Sequence, residues 1–361
     1  MPIPAFFSCH KSSRMLFLLM CLCAACAQQP TESAAPAATA PPAYPQSDAL
    51  PMREGIRVIC QDSQGHYWLG SDREGACRFD GKRFVHFTTA QGLAGNQVTA
   101  IQEGADGTIW LGTNKGLSCF RGGEMFAVEV PTPLPGATPV WELAPGDLWV
   151  GVGNTIDVIR IRQGVASAMP HPNSQEGTKL SGDWGVTDIS QGSDGQLWIA
   201  RYNGASGFDG QRWTHIHDST LHYDGKTDYL HVRSILADSK GRLWIGNNGI
   251  GVLLREHGSI SHFSKAQGLY RGMPMRYPAA PGTLMHVFAI AEDQQGNIWF
   301  GDRDTGAWRF DGRAMQNFTV DPALSSQHVW DIYEDQEGAL LFAMAAGGVY
   351  RFDGQGFVRK F

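Results

Sequence analysis

The sequence predicts an all-β chain, a seven-bladed β-propeller built from four-stranded antiparallel blades. Three observations predict it. A five-residue motif around tryptophan recurs: HYWLG at 66–70, TIWLG at 108–112, DLWVG at 147–151, QLWIA at 196–200, RLWIG at 242–246 and NIWFG at 297–301. A seventh copy, ALLFA at 339–343, lacks the tryptophan. A glycine stands three residues before each Trp position (Gly65, Gly107, Gly146, Gly195, Gly241, Gly296, Gly338), at spacings of 42, 39, 49, 46, 55 and 42. Periods of this length are one supersecondary unit repeated. The composition agrees: 44 Gly and 11 Trp in 361 residues, with only 18% charged, is far from the usage of a helical protein.

Each repeat has the same internal order. It opens on a short apolar V-x-x-I segment, the inner strand: Ile56/Ile59, Val98/Ile101, Val140/Leu143, Val186/Ile189, Val232/Ile235, Val287/Ile290 and Val329/Ile332. A turn follows, with Asp first and Gly fourth in the copies at 62–65, 238–241, 293–296 and 335–338. Asp can accept from the turn backbone, and Gly suits its exit. The Trp strand comes next; its indoles fill the wedge between blades. A third strand ends in Asp-Gly at 80–81, 209–210, 311–312 and 353–354, which predicts tight hairpins with positive φ at both residues. A fourth strand, such as 84–87 or 314–318, closes the unit. The repeats run in order from Ile56 to Phe361, so no strand crosses the closure and blades 1 and 7 are expected to meet by packing alone.

The first 50 residues lie outside this grammar. Residues 15–25 read MLFLLMCLCAA, preceded by Lys11 and Arg14 and by no acid. That apolar run is too short for a membrane span of about 20 residues and has the layout of an export signal, residues 1–26. It ends in Cys-Ala-Ala-Cys, which resembles a bacterial lipobox with Cys26 as the lipid-bearing residue. Ordinary cleavage at an A-x-A site is the alternative. Residues 27–50 hold 8 Ala and 5 Pro, a tether of about 75 Å at ~3.1 Å per residue. The propeller domain is placed at 51–361. Without residues 1–26 the chain has 27 basic and 35 acidic residues. No polybasic tract supports nucleic-acid binding. Cys60, Cys77 and Cys119 remain outside the signal and are expected as buried free thiols.

The combined pattern, V-x-x-I-x-x-D-x-x-G-x-[IL]-W-[IFL]-G followed by R-F-D-G and A-Q-G-L (90–93 and 266–269), resembles the two-component regulator propeller repeats of bacterial hybrid sensor kinases. The resemblance spans about residues 52–361 and implies an extracytoplasmic ligand detector, with glycans a common ligand class. No kinase or DNA-binding region accompanies it here, so only the ligand-binding half carries over. Propeller lyases that inactivate streptogramins are a second similar group, but no motif ties this chain to them.

Propeller ligands bind over the channel, where the loops before inner strands and after Trp strands gather. Long insertions occur at 169–185, 217–231 and 264–286. They carry His171, Asp183, Trp184, Asp218, His222, Tyr223, Asp224, Asp228, Tyr229, Arg271, Arg276 and Tyr277, a mixture suited to a polar ligand. His231, His286 and His328 each precede the inner-strand valine of blades 5, 6 and 7, and could hold a divalent metal such as zinc, or serve only as turn residues. Arg73, Lys115, Arg201 and Arg303 follow Trp strands; with Arg57 and Arg233 they could make the mouth positive. Trp141 and Trp330 are extra inner-strand aromatics. No P-loop, nucleophile elbow, H-E-x-x-H or EF-hand spacing occurs.

The expected function is an envelope-anchored binding propeller for a polar small molecule, a glycan or another envelope protein. No cofactor is expected, and membrane contact is through the lipid only. A metal-assisted lyase or hydrolase at the channel mouth, or a pure scaffold, are the alternatives.

Overall fold

The computed structural model describes residues 44–131, 140–153, 157–171, 185–223, 228–272 and 278–361. The signal, Cys26 and most of the tether lie outside these residues, as do Asp183, Trp184, Asp224, Arg276 and Tyr277. Seven antiparallel sheets follow one another in sequence order, five of them four-stranded. The chain is a seven-bladed β-propeller. Cys60, Cys77 and Cys119 are buried and in no disulfide.

The Trp strand holds each blade to the next. Trp244 packs with Val287 and Phe300 of blade 6, and Trp299 packs with Val329 and Phe342 of blade 7. Trp68, Trp149, Trp244 and Trp299 are among the largest fully buried side chains. The glycine two residues after the tryptophan admits the neighbour: a Cβ on Gly246 would lie 2.8 Å from Val287 Cγ1. At the turn, the Asp expected to serve the backbone does so and also accepts from the indole. Asp62, Asp238 and Asp293 take Trp68, Trp244 and Trp299 Nε1, each at 2.8 Å. The seven turn glycines all have φ between 75° and 83°.

The Asp-Gly hairpins differ from the expected tight turn. Only the glycines have positive φ (Gly81 at 93°, Gly210 at 95°). Phe79 pairs with Phe84 and Phe208 with Trp213, so each loop holds four residues. The aspartate acts through its side chain: Asp80 Oδ1 accepts from Lys82 and Arg83 N–H at 2.9 and 2.8 Å. These bonds draw its pKa below the usual carboxylate range. Two-residue turns with both φ positive occur instead at Gln163-Gly164 and His257-Gly258.

Blade 3 also differs. Its described part has three strands, Leu148–Gly151, Val158–Arg162 and Val165–Met169. The 140–143 segment, expected as an inner strand, is not one, and Val140 is 74% exposed. Trp141 stacks flat on Trp149 at 5.4 Å and meets Trp213 at 4.8 Å. Burying a large indole in that aromatic cluster removes more apolar surface from water than facing a wet channel would.

The closure joins blades 1 and 7 by more than packing. The short N-terminal strand Gln46–Ser47 extends blade 1 by pairing with its own outer strand, Phe84–Phe87. Residues 44–50, assigned to the tether from composition, therefore belong to the propeller: Tyr44 packs on Phe87 and its hydroxyl accepts from Met125 N–H. Across the seam, Asp331 Oδ2 accepts from Ile59 N–H at 2.8 Å and Tyr333 OH from Gln61 N–H at 3.0 Å. Asp188 and Ser190 of blade 4 do the same for Ile235 and Ala237 of blade 5. These side chains satisfy N–H groups on inner-strand edges that no neighbouring strand pairs. In blade 7, Leu341 replaces the tryptophan, and the turn carboxylate turns to the seam. Asp335 Oδ2 accepts from Tyr67 OH at 2.7 Å and meets Lys360 Nζ at 3.3 Å. Phe361 packs edge-on against Tyr67, Phe79 and Phe84 of blade 1.

Candidate functional site at the channel mouth

Every described inner strand has a register shift at one position. The breaks fall between Ile56/Val58, Val98/Ala100, Val186/Asp188, Val232/Ser234, Val287/Ala289 and Val329/Asp331. The extra residues are Arg57, Thr99, Thr187, Arg233, Phe288 and Trp330. A β-bulge leaves one residue unpaired and re-aims its side chain. All six line the axial cavity, whose volume is about 210 Å³. At blade 3 the wall is formed by Trp149 and Gly151.

Arg57, Arg233, Trp330 and Phe288 form one cation–aromatic cluster. The Arg57 guanidinium lies 4.1 Å from the Trp330 ring. That of Arg233 lies 4.4 Å from Phe288, 4.9 Å from Tyr202 and 5.9 Å from Trp330. Arg233 Nη1 donates to Tyr202 OH at 2.6 Å. Arg57 Nη1 is paired with Asp72 at 2.5 Å.

The histidines join this cluster separately. Asn248 stands between two of them: its Nδ2 meets His231 Nδ1 at 3.2 Å, and its Oδ1 meets His286 Nδ1 at 2.9 Å. Arg303 Nη1 also donates to Asn248 Oδ1, while Arg303 pairs with Asp304 at 3.0 Å. His231 stacks on Tyr202, and His328 lies between Phe288 (4.4 Å) and Trp330 (4.3 Å). Burial, reinforced by nearby arginines, lowers the pKa of His231 to about 4 and that of His328 to about 3. Both are neutral at physiological pH. The expected metal arc of His231, His286 and His328 is not seen: His231 and His286 meet Asn248, and His328 packs between two rings. Among the described residues no three His, Cys, Asp or Glu side chains gather as a metal site.

Five predicted residues fall away from this cluster or at its rim. Arg73 is 75% exposed and pairs with Glu54 and Asp72. Lys115 is exposed. Arg201 is buried within blade 4, donating to Ser206 Oγ at 3.0 Å. Trp141 is in the interface described above. Tyr229 is half-buried, two residues before His231.

The structure adds Asp72, Tyr202, Asn248 and Phe288. A single register identifies the first three. They are the fourth residue after the Trp of their blades, as Arg303 is, and at Asp72, Asn248 and Arg303 the backbone N–H donates to the carbonyl preceding the inner strand. Arg201 is the third residue after its Trp, and Arg73 and Lys115 are the fifth, which explains their different placement. Phe288 shares the bulge register of Arg57, Arg233 and Trp330.

Two carboxylates line the channel one residue deeper. Burial raises the pKa of Asp188 to about 6 and that of Asp331 to about 7, and Asp188 adds repulsion to Asp331. A folded-state pKa above the unfolded value makes the folded form bind more protons between roughly pH 4 and 7. The stability these groups contribute is therefore present at low pH and lost as pH rises through the folded values. Asp331→Asn is expected to gain stability relative to wild type on going from pH 5 to pH 8, by ~1–2 kcal/mol after allowing for channel water. Urea unfolding at both values checks this; an unchanged difference would refute it.

The two-component regulator propeller repeat matches at residues 53–73, 92–115, 228–249 and 282–304. Four of the seven blades match this repeat. The matched segments cover inner strands and Trp strands of blades 1, 2, 5 and 6, and include Arg57, His231, Arg233, Asn248, His286 and Arg303. Among solved structures, the extracellular domain of a hybrid two-component system from B. thetaiotaomicron is similar, with 21% identity and a TM-score of 0.63. The match covers 85% of this chain and 40% of that one, so this chain spans well under half of that domain's length. Virginiamycin B lyase from Staphylococcus aureus is similar at 17% identity and a TM-score of 0.58, covering 86% of this chain and 98% of that one. YCF48 from Cyanidioschyzon merolae is similar at 14% identity and a TM-score of 0.56, covering 86% and 98%. At these identities the likeness is one of fold. No curated protein matches the chain in sequence.

Proposed function

We propose that this chain is an exported ligand-binding propeller, with its site at the axial mouth. Its ligand is polar, a glycan or a small molecule with a ring to stack. The carrying observation is the ring of bulges: six strands aim their unpaired residue into one cavity, and four of those residues are Arg57, Arg233, Phe288 and Trp330. Bulges are over-represented beside active and binding sites because they re-aim side chains. Aromatic faces with convergent polar groups are the usual composition of a ligand pocket. The similarity in fold to a sensor's extracellular domain supports binding, and the apolar run ending at Cys26 supports export with a lipid anchor. Palmitate labelling that persists in Cys26→Ala would remove the anchor from this reading.

The site is tested by screening the purified protein against saccharides and small polar metabolites, followed by titration of each binder. Trp330→Ala is expected to weaken binding about 10-fold or more, the loss of one stacked ring. Binding that survives Trp330→Ala unchanged would place the site elsewhere on the propeller.

A further inference from the structure

Among the described residues the mouth holds three guanidinium groups, and their neutralisation is unequal. Arg57 is paired with Asp72, which Gln97 Nε2 holds at 2.9 Å and Arg73 approaches at 3.5 Å. Arg303 is paired through two nitrogens with Asp304, at 3.1 and 3.0 Å. Arg233 has no carboxylate partner among the described residues. Among the described residues its side chain donates to the Tyr202 hydroxyl and lies among the rings of Phe288, Tyr202 and Trp330, with the Arg57 charge nearby. Aromatic faces attract a cation but offer no acceptor in the plane of its N–H groups. A guanidinium has five donors in a rigid fork and stays charged. Most of the Arg233 fork is therefore left for water or for an anion.

We propose that Arg233 receives a carboxylate carried on a ligand ring at the axial mouth. This deepens the binding-site reading above and rests on it. The fork matches a carboxylate in two parallel hydrogen bonds. Trp330 and Phe288 flank it, so a ring bearing that carboxylate has a face to lie on. Among the described residues the two nearest channel carboxylates have other partners: Asp188 is engaged by Ser234 Oγ and Ile235 N–H, and Asp331 by Ile59 N–H. Those two carboxylates lie one residue deeper and disfavour a second negative group there. The ligand's carboxylate thus stays at the rim, and its hydroxyl or ammonium donors point down the channel. A cavity of about 210 Å³ is smaller than the ~300–1,000 Å³ of pockets that enclose a drug-sized molecule. It takes a small ring acid, or the terminal ring of a longer chain.

Burial lowers the Arg233 pKa from its ordinary value, with the Arg57 charge adding to the effect. This is consistent with a cation that gains from an incoming anion.

The test uses matched acid and neutral probes: glucuronate with glucose, galacturonate with galactose, and benzoate with benzamide. Each is titrated into the purified protein at pH 7.5 by calorimetry. At least one acid is expected to bind about 10- to 100-fold more tightly than its neutral partner, with the preference shrinking as salt rises. Arg233→Gln is expected to remove that preference, with the acid losing at least about 10-fold more affinity than its neutral partner. Arg233→Lys keeps the charge without the fork and is expected to restore only part of it. A melting temperature near wild type certifies the variants as folded. Equal affinity for acid and neutral probes, or a preference that survives Arg233→Gln, overturns the proposal. Failure of every acid to bind also overturns it. If a neutral probe binds and Trp330→Ala abolishes that binding, the mouth remains the site and only the carboxylate is lost. If no ligand from any screen depends on Trp330, the binding-site reading falls as well.

Discussion

Trp244→Ala lowers the unfolding free energy by about 3–5 kcal/mol, the range for emptying a buried aromatic site. The indole is fully buried, with Phe263, Phe300 and Phe310 around it at 5.0, 5.6 and 6.1 Å. It also donates to Asp238, which is fully buried and accepts from Arg242 Nε and from the N–H groups of Lys240 and Arg242. Removing the indole thus opens a cavity and takes one donor from a buried carboxylate. Trp244→Phe separates the two effects, because it keeps a ring and loses the N–H. Its cost is expected near 1–3 kcal/mol, part lost hydrogen bond and part unfilled volume. Chemical denaturation of both variants measures the pair. If Trp244→Ala costs under about 1 kcal/mol, the tryptophan is not the wedge between blades 5 and 6.

Asp335→Ala has a comparable effect at a different place. Its Oδ1 accepts from the N–H groups of Glu337 and Ala339, and its Oδ2 holds Tyr67 OH across the seam and Lys360 Nζ of its own blade. Losing this carboxylate takes the acceptor from the Tyr67 hydroxyl and the counter-charge from Lys360, which keeps Tyr67 OH at 2.7 Å; breaking such a pair costs about 3–5 kcal/mol. Asp335→Asn retains an acceptor for the turn but loses the charge, and should cost less. The distinctive readout is local. Hydrogen exchange is expected to accelerate in the edge strands that meet at the seam, Ile56–Gln61 and Val329–Glu334, and to change little in blade 4. A uniform acceleration around the ring would mean that Asp335 stabilises its own turn rather than the closure.

The scaffold was legible because it depends on residue types with few substitutes. A turn glycine must adopt positive φ, and an indole must fill the wedge; both recur at one spacing, so the blades can be counted. What misled was chemistry with two solutions. Asp-Gly supports a two-residue turn, but Asp80 and its counterparts use the carboxylate to cap a four-residue loop instead. The V-x-x-L of blade 3 has the right pattern, yet Trp141 finds a better burial on Trp149 and Trp213. The seventh copy looked degenerate, although its Asp335 is reused for closure. The site was legible in kind and imprecise in register. Arg57, Arg233 and Trp330 were found because they interrupt an apolar strand. Asn248 and Tyr202 were missed because a loop residue's direction depends on its count from the Trp, and a shift of one sends Arg201 into the blade. Asp304, which neutralises Arg303, follows from no periodicity at all.

The ring of bulges has one further consequence. A bulged residue has no cross-strand partner, so the ladder on either side closes whatever side chain it carries. Arg57, Thr99, Thr187, Arg233, Phe288 and Trp330 already show that the position accepts a cation, a hydroxyl or an aromatic ring in an unchanged frame. What the channel selects and how firmly the blades hold together are thus written in separate letters. Related chains can respell the first without touching the second, and a designer could do the same, one blade at a time.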